Sequence, residues 1–166
     1  MKKPALLRAA LVALMPEFAR DADRLAMWIE KGQVRSRLAG YGESHGFAWE
    51  YQLTVLLKEF AGDPAVPFFA VTEWLRTQQP DALAPGKQNG FAFEADILDD
   101  KTFDVQIVLN LDECVAAQDQ GQGRWHLSPI DQPVPIDPDG EPTRAAAGPV
   151  LSIWYEGQQL APTPQP

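Results

Sequence analysis

The sequence predicts an α+β fold: an antiparallel or mixed four-stranded sheet packed on three helices, followed by a proline-rich C-terminal arm. Three observations predict it. Stretches with apolar residues at helical spacing are interspersed with stretches where apolar and polar residues alternate. The alternating stretches have one dry and one wet face, as expected of a sheet covered by helices on one side only. From Pro129 to Pro149, six prolines and several acids replace core-forming residues. The chain divides on this reading into a core domain, 1–128, and an arm, 129–166, that ends in a short strand or hairpin.

The first helix is placed near 4–15. Pro4 stands where a missing N–H costs nothing, Leu7, Leu11 and Leu14 recur on one face, and Pro16 ends it. The second is placed near 21–31, with Asp21 as N-cap, Leu25, Trp28 and Ile29 as its apolar face, and Gly32 as its stop. A strand near 33–39 leads into the glycine-rich turn "GYGESHG". The strongest strand signal covers 47–60. Phe47, Trp49, Tyr51, Leu53, Val55 and Leu57 share one face; Glu50, Gln52, Thr54 and Lys58 share the other, with Leu56 as the exception. A third helix near 66–78 carries Phe68, Val71 and Leu75 on one face and stops before Pro80. Trp28, Trp49 and Trp74 all fall on expected core faces.

Residues 90–98 and 103–115 read as a β-hairpin around Asp99-Asp100-Lys101-Thr102, a turn composition. Two registers bury the apolar set. One places Ile97 opposite Phe103 and Asp96 opposite Asp104; a two-residue slip pairs Asp96 with Gln106 instead. "RWHLSPI" reads as one more short strand. "VLSIWYEGQQLA" reads as a small hairpin turning at Glu156-Gly157.

The composition excludes several function classes. The 166 residues carry a formal net charge of −9, which disfavours nucleic-acid binding, since cations are needed to displace condensed counterions. A single cysteine, Cys114, permits no disulfide framework within the chain. No stretch reaches membrane-spanning length, and the N-terminal apolar segment lacks a cleavage site, so the expected setting is reducing cytoplasm. Nucleophile-elbow, P-loop, dinucleotide and zinc-protease motifs are absent.

Asp96, Asp104, Glu94 and Asp112 fall on the polar face of the hairpin strands, where two or three carboxylates offer hard ligands to Mg²⁺ or Ca²⁺. That makes a carboxylate-dependent metal hydrolase one reading. The competing reading is a solvated strand face, since no histidine or lysine accompanies the acids for proton transfer. His45 reads as an exposed loop residue and Cys114 as a core or edge thiol. No catalytic residue, metal site or cofactor is assigned. Trp154 and Tyr155 differ from the other aromatics: they lie beyond the proline-rich stretch, on a segment too short for a core of its own. They call for another surface, either the chain's own sheet edge or a neighbouring subunit.

The segments "KPALLRAALVALMPEF", "DADRLAMWIEKGQV", "YQLTVLLKEFAGD", "VPFFAVTEWLRTQQPD" and "GFAFEADILDDKTFDVQIVLNLDE", in that order, resemble the tail completion protein R (GpR) family of contractile-tailed phages over residues 2–115. Similar parts occur in phage-derived tailocins. The resemblance implies a structural, non-enzymatic subunit of tail-terminator or collar type. It implies a homo-oligomeric ring, six-fold like the tail tube, that contacts tube and sheath proteins and the head–tail connector. It implies assembly in the bacterial cytoplasm and residence in the tail. In that setting Asp99, Asp100, Trp154 and Tyr155 become expected interface residues, and Asp96 and Asp104 an expected acidic lumen face. A transiently bound assembly chaperone or adaptor is the alternative.

Overall fold

The computed structural model describes residues 1–37, 45–84, 86, 90–131 and 150–162. Expected strand residues 38 and 39, the glycine-rich turn at 40–44 and the proline-rich stretch 132–149 lie outside these.

The fold is α+β. Helix α1 (Lys3–Leu14) runs into a single turn, α2 (Glu17–Arg20), and a 3₁₀ turn over Ala22–Arg24. Strands β1 (Leu25–Ser36) and β2 (Phe47–Phe60) follow, then α3 (Ala65–Gln78) and a 3₁₀ turn at Pro80–Leu83. Strands β3 (Ala92–Ile97), β4 (Phe103–Asp119) and β5 (Trp125–Ile130) complete one antiparallel sheet in the order β1-β2-β4-β3, with β5 also paired to β4. Among the described residues the sheet has five strands. β2, β3 and β4 fall on the expected strands near 47–60, 90–98 and 103–115, and β5 falls within "RWHLSPI". β1 covers 33–36 of the expected strand near 33–39 and most of the expected second helix.

The helix expected at 21–31 is a strand. Leu25, Met27 and Ile29 fit a two-residue period as well as Leu25, Trp28 and Ile29 fit a helical one. Pairing with Leu57, Val55 and Leu53 of β2 decides the matter, because tertiary contacts override weak local preference. Leu25 is buried, and Met27 and Ile29 pack on the core. Trp28 consequently turns to the far side of the sheet and is 39% exposed, contrary to its expected core position. Gly32 stops no helix. It sits in mid-strand opposite Tyr51, where an added Cβ would lie 3.1 Å from the Glu50 carbonyl oxygen.

The core lies between the sheet and α1 and α3. Leu7, Leu11 and Leu14 of α1 and Val71 and Leu75 of α3 meet Leu53, Val55 and Leu57 of β2 and Val105, Ile107 and Leu109 of β4. Trp74 is buried as expected. Burial of apolar area on this scale, at about 25 cal/mol per Å², is what fixes both helices to one face.

The C-terminal hairpin forms where expected. Strands β6 (Ile153–Tyr155) and β7 (Gln158–Ala161) flank Glu156 and Gly157, both at positive φ (48° and 82°), as a two-residue primed turn requires. Its inner side belongs to the main core: Ala161 is buried there, and Val150, Ile153 and Leu160 pack against it.

Candidate functional site

The β3–β4 hairpin adopts the first of the two expected registers, with Ile97 opposite Phe103 and Asp96 opposite Asp104. Two carboxylates thus share one position on the sheet face away from the helices, an unfavourable arrangement unless offset. Part of the offset is local. The Asp104 carboxylate accepts a hydrogen bond from the Glu59 N–H at 2.8 Å. Glu59 is held at φ 50° where the β2–β4 register shifts between Leu57 and Phe60. Arg24 grips the other side of this bulge, donating to the carbonyls of Lys58 (3.2 Å) and Glu59. Asp104 is thereby bound into the fold, while Asp96 projects from β3, all of whose residues are exposed.

Asp99 is also engaged. Its Oδ1 accepts from the N–H groups of Lys101 and Thr102, both at 2.7 Å, and these bonds hold its carboxyl below the usual carboxylate range. It shapes the turn, as its side-chain chemistry predicts; Asp100 next to it is exposed. Among the described residues no three histidine, cysteine, aspartate or glutamate side chains are grouped to hold a metal. His45 is exposed, its ring 4.9 Å from that of Trp125. Cys114 is a half-buried free thiol on β4.

A polar cluster that sequence reasoning missed lies where β4 changes neighbours. β4 pairs with β3 as far as Val108 and with β5 from Cys114, which leaves residues 109–113 without a strand on that side. The side chains of Lys3 in α1 and of Gln79, the C-cap of α3, fill the gap. The buried Lys3 ammonium donates to the Asp112 carbonyl at 2.7 Å and to Gln79 Oε1. Gln79 Oε1 also accepts from the Asp112 N–H at 3.3 Å, and Gln79 Nε2 donates to the Asp112 carboxylate. Burial lowers the Lys3 pKa, opposed by the charges of Asp112 and Glu113. Alongside, Tyr51 donates to Glu113 Oε1 at 2.6 Å and the Lys2 N–H to Glu113 Oε2 at 2.8 Å. This is an architectural latch that closes a break in a ladder, with each partner satisfied.

Burial, and then the bond to Glu113, raise the Tyr51 pKa far above its ordinary 10.0. The folded state therefore holds a phenol proton that the unfolded chain releases near pH 10. The associated stability is complete below that pH and is lost as pH rises above it, at no more than about 1.4 kcal/mol per pH unit. The shift at Lys3 acts oppositely, favouring the folded state as pH rises toward 10.5. Denaturant melts between pH 8 and 11 should show Tyr51→Phe losing less stability than the parent above pH 10; parallel curves would contradict this.

The remaining conspicuous features are surfaces. The last seven residues of β1 and all of β3 are exposed, and among the described residues β1, β3 and β5 each lack a strand on their outer side. Ile97 (80% exposed), Phe93, Leu98, Leu127 and Trp125 place apolar area on or next to edge strands. On the C-terminal hairpin Trp154 and Tyr155 are 61% and 60% exposed, although that hairpin's other side enters the core.

The family model for the P2 phage tail completion protein R (GpR) matches residues 1–133. The tail completion protein R of Escherichia phage P2 is 33% identical over 159 residues, covering 94% of this chain and 100% of that protein. No solved structure matches the chain. With edges and apolar patches as its prominent features, the chain belongs to the P2 phage tail completion protein R family and is a structural component of tail completion.

Proposed function

We propose that this protein closes the head-proximal end of a contractile tail tube as a ring of identical subunits, six-fold like the tube. The observation that carries the reading is that the open sheet edges on the two sides are unlike, β1 on one side and β3, with β5 further along β4, on the other. A ring is built from heterologous contacts, and these need two different surfaces on each subunit. Completion of a tail asks for such a closed end, and no step in it calls for catalysis by this chain.

Within that ring, the sheet face away from the helices lines the channel. It carries Asp96 and Asp104, and an acidic lining repels the phosphate backbone of DNA in transit. The Asp99-Asp100 turn and the exposed Trp154 and Tyr155 make contacts with neighbours: tube, sheath or head–tail connector. The subunit assembles in the bacterial cytoplasm and stays in the tail, in contrast to a chaperone that departs. The test is deletion of the gene in the producing strain and imaging of the tails that form, with copies of the protein per purified tail counted by quantitative mass spectrometry.

A further inference from the structure

We propose that neighbouring subunits join by continuing the sheet, the β3 edge of one pairing antiparallel with the β1 edge of the next, with Arg35 facing Asp96 and Val34 facing Ile97. This inference rests on the ring reading above and specifies its contact.

Direction and faces both follow from the topology. Each step along β1-β2-β4-β3 is antiparallel, so β1 and β3 run antiparallel within one subunit. Arg35 is level with Cys114 and Asp96 with Asp104, ten positions along β4, so this contact tilts the strands steeply to the ring axis. Continuing the alternation across the joint still makes β3 meet the next subunit's β1 antiparallel. The same continuation keeps each face of the sheet continuous. Arg35 pairs with Ala48, which pairs with Cys114; Asp96 pairs with Asp104. Both side chains therefore lie on the face away from the helices. Val34 and Ile97 lie on the helix side by the same count, through Trp49 and Phe103.

The register satisfies both faces at once. With Arg35 opposite Asp96, Val34 falls opposite Ile97, two apolar side chains 67% and 80% exposed in the single subunit. Arg37, just past the end of β1, falls opposite Glu94 by the same count. Arg35 already pairs with Glu50, but its side chain is 67% exposed and its fork has donors for a second carboxylate. A guanidinium beside Asp96 would also relieve the Asp96–Asp104 juxtaposition that the subunit alone leaves in place.

Charge selects this contact over its rivals. β1 against β1 would set Lys31 and Arg35 against like charges, and β3 against β3 would do the same for Glu94 and Asp96. β5, WHLSPI, has no acid to meet the β1 cations, so β1 with β3 is the attracting pair, and unlike edges give a head-to-tail ring in place of an isologous dimer. Edge charges also commonly guard single strands against aggregation; opposite signs on the two edges in matching register are what that protective role does not require.

The test is a charge-reversal cycle in the deletion strain, complemented with full-length Arg35→Asp, Asp96→Arg, and the two together. Each single reversal should reduce complete tails at least about tenfold, and the double should recover most of that loss, as expected for directly coupled charges. Thermal melts of the purified proteins should stay close to the parent. Singles that assemble normally, or a double no better than the singles, while each parental tail holds several copies, would overturn the edge pairing and leave the ring standing. A single copy per parental tail would overturn the ring and this contact together.

Discussion

Replacing Gln79 by alanine lowers the unfolding free energy by about 3–5 kcal/mol, the range for breaking a buried, charge-bearing hydrogen-bond cluster by removing one member. Gln79 satisfies three partners at once: the Lys3 ammonium, the Asp112 N–H and the Asp112 carboxylate. Its loss leaves a lysine that is 7% exposed with one acceptor fewer, and removes a hydrogen bond from both the N–H and the carboxylate of Asp112. The cost is large because the removed amide takes three hydrogen bonds from a largely buried site at once. Lys3→Met should cost less, since it removes the charge along with its bonds and keeps most of the packing. Urea denaturation of the three proteins checks the order. A Gln79→Ala protein within about 1 kcal/mol of the parent would show that the latch is ornamental.

Changing Trp154 and Tyr155 together to serine should abolish tail completion while leaving the subunit folded. Both side chains are mostly exposed, so little intramolecular burial is lost, and surface changes of this kind usually shift stability by no more than about 0.5 kcal/mol. Exposed tryptophan and tyrosine are the residue types that dominate interface energies, at about 2 kcal/mol or more each, and a ring repeats the loss at every subunit. Complete tails should fall by about a hundredfold in a complementation assay. Wild-type numbers of tails would remove this hairpin from the contact surface. Truncating the chain before Val150 is a poorer probe. Ala161 and Ile153 contribute to the main core, so the truncated protein would be damaged in its fold as well as in its surface.

Much of the fold was legible where one period dominated. The first and third helices lie within one residue of their expected starts and ends, because Leu7-Leu11-Leu14 and Val71-Leu75 admit no other burial. The β3–β4 turn and the Glu156-Gly157 turn were legible from side chains that bond their own backbone or tolerate positive φ. The segment 25–36 was not, because its apolar residues satisfy two periods and only the partner strand distinguishes them. The choice of hairpin register was equally undetermined until Ile97 found Phe103.

The latch was hidden for a different reason. Lys3 and its acceptors are separated by 76 and 109 positions, and no local pattern links them. A signal existed nonetheless. Lys3 falls on the same helical stripe as Leu7, Leu11 and Leu14, and Gln79 continues the stripe of Val71 and Leu75, so each is a polar residue at a core position. The open edges were not legible, because which strands lie outermost follows from the strand order alone.

The central claim is that the protein closes the tube, and imaging of tails from a strain lacking the gene tests it most directly. Such a strain should make tubes of abnormal or variable length without a finished head-proximal end, restored to uniform length by the parental gene. Tails of normal length, fully finished and joined, would contradict it.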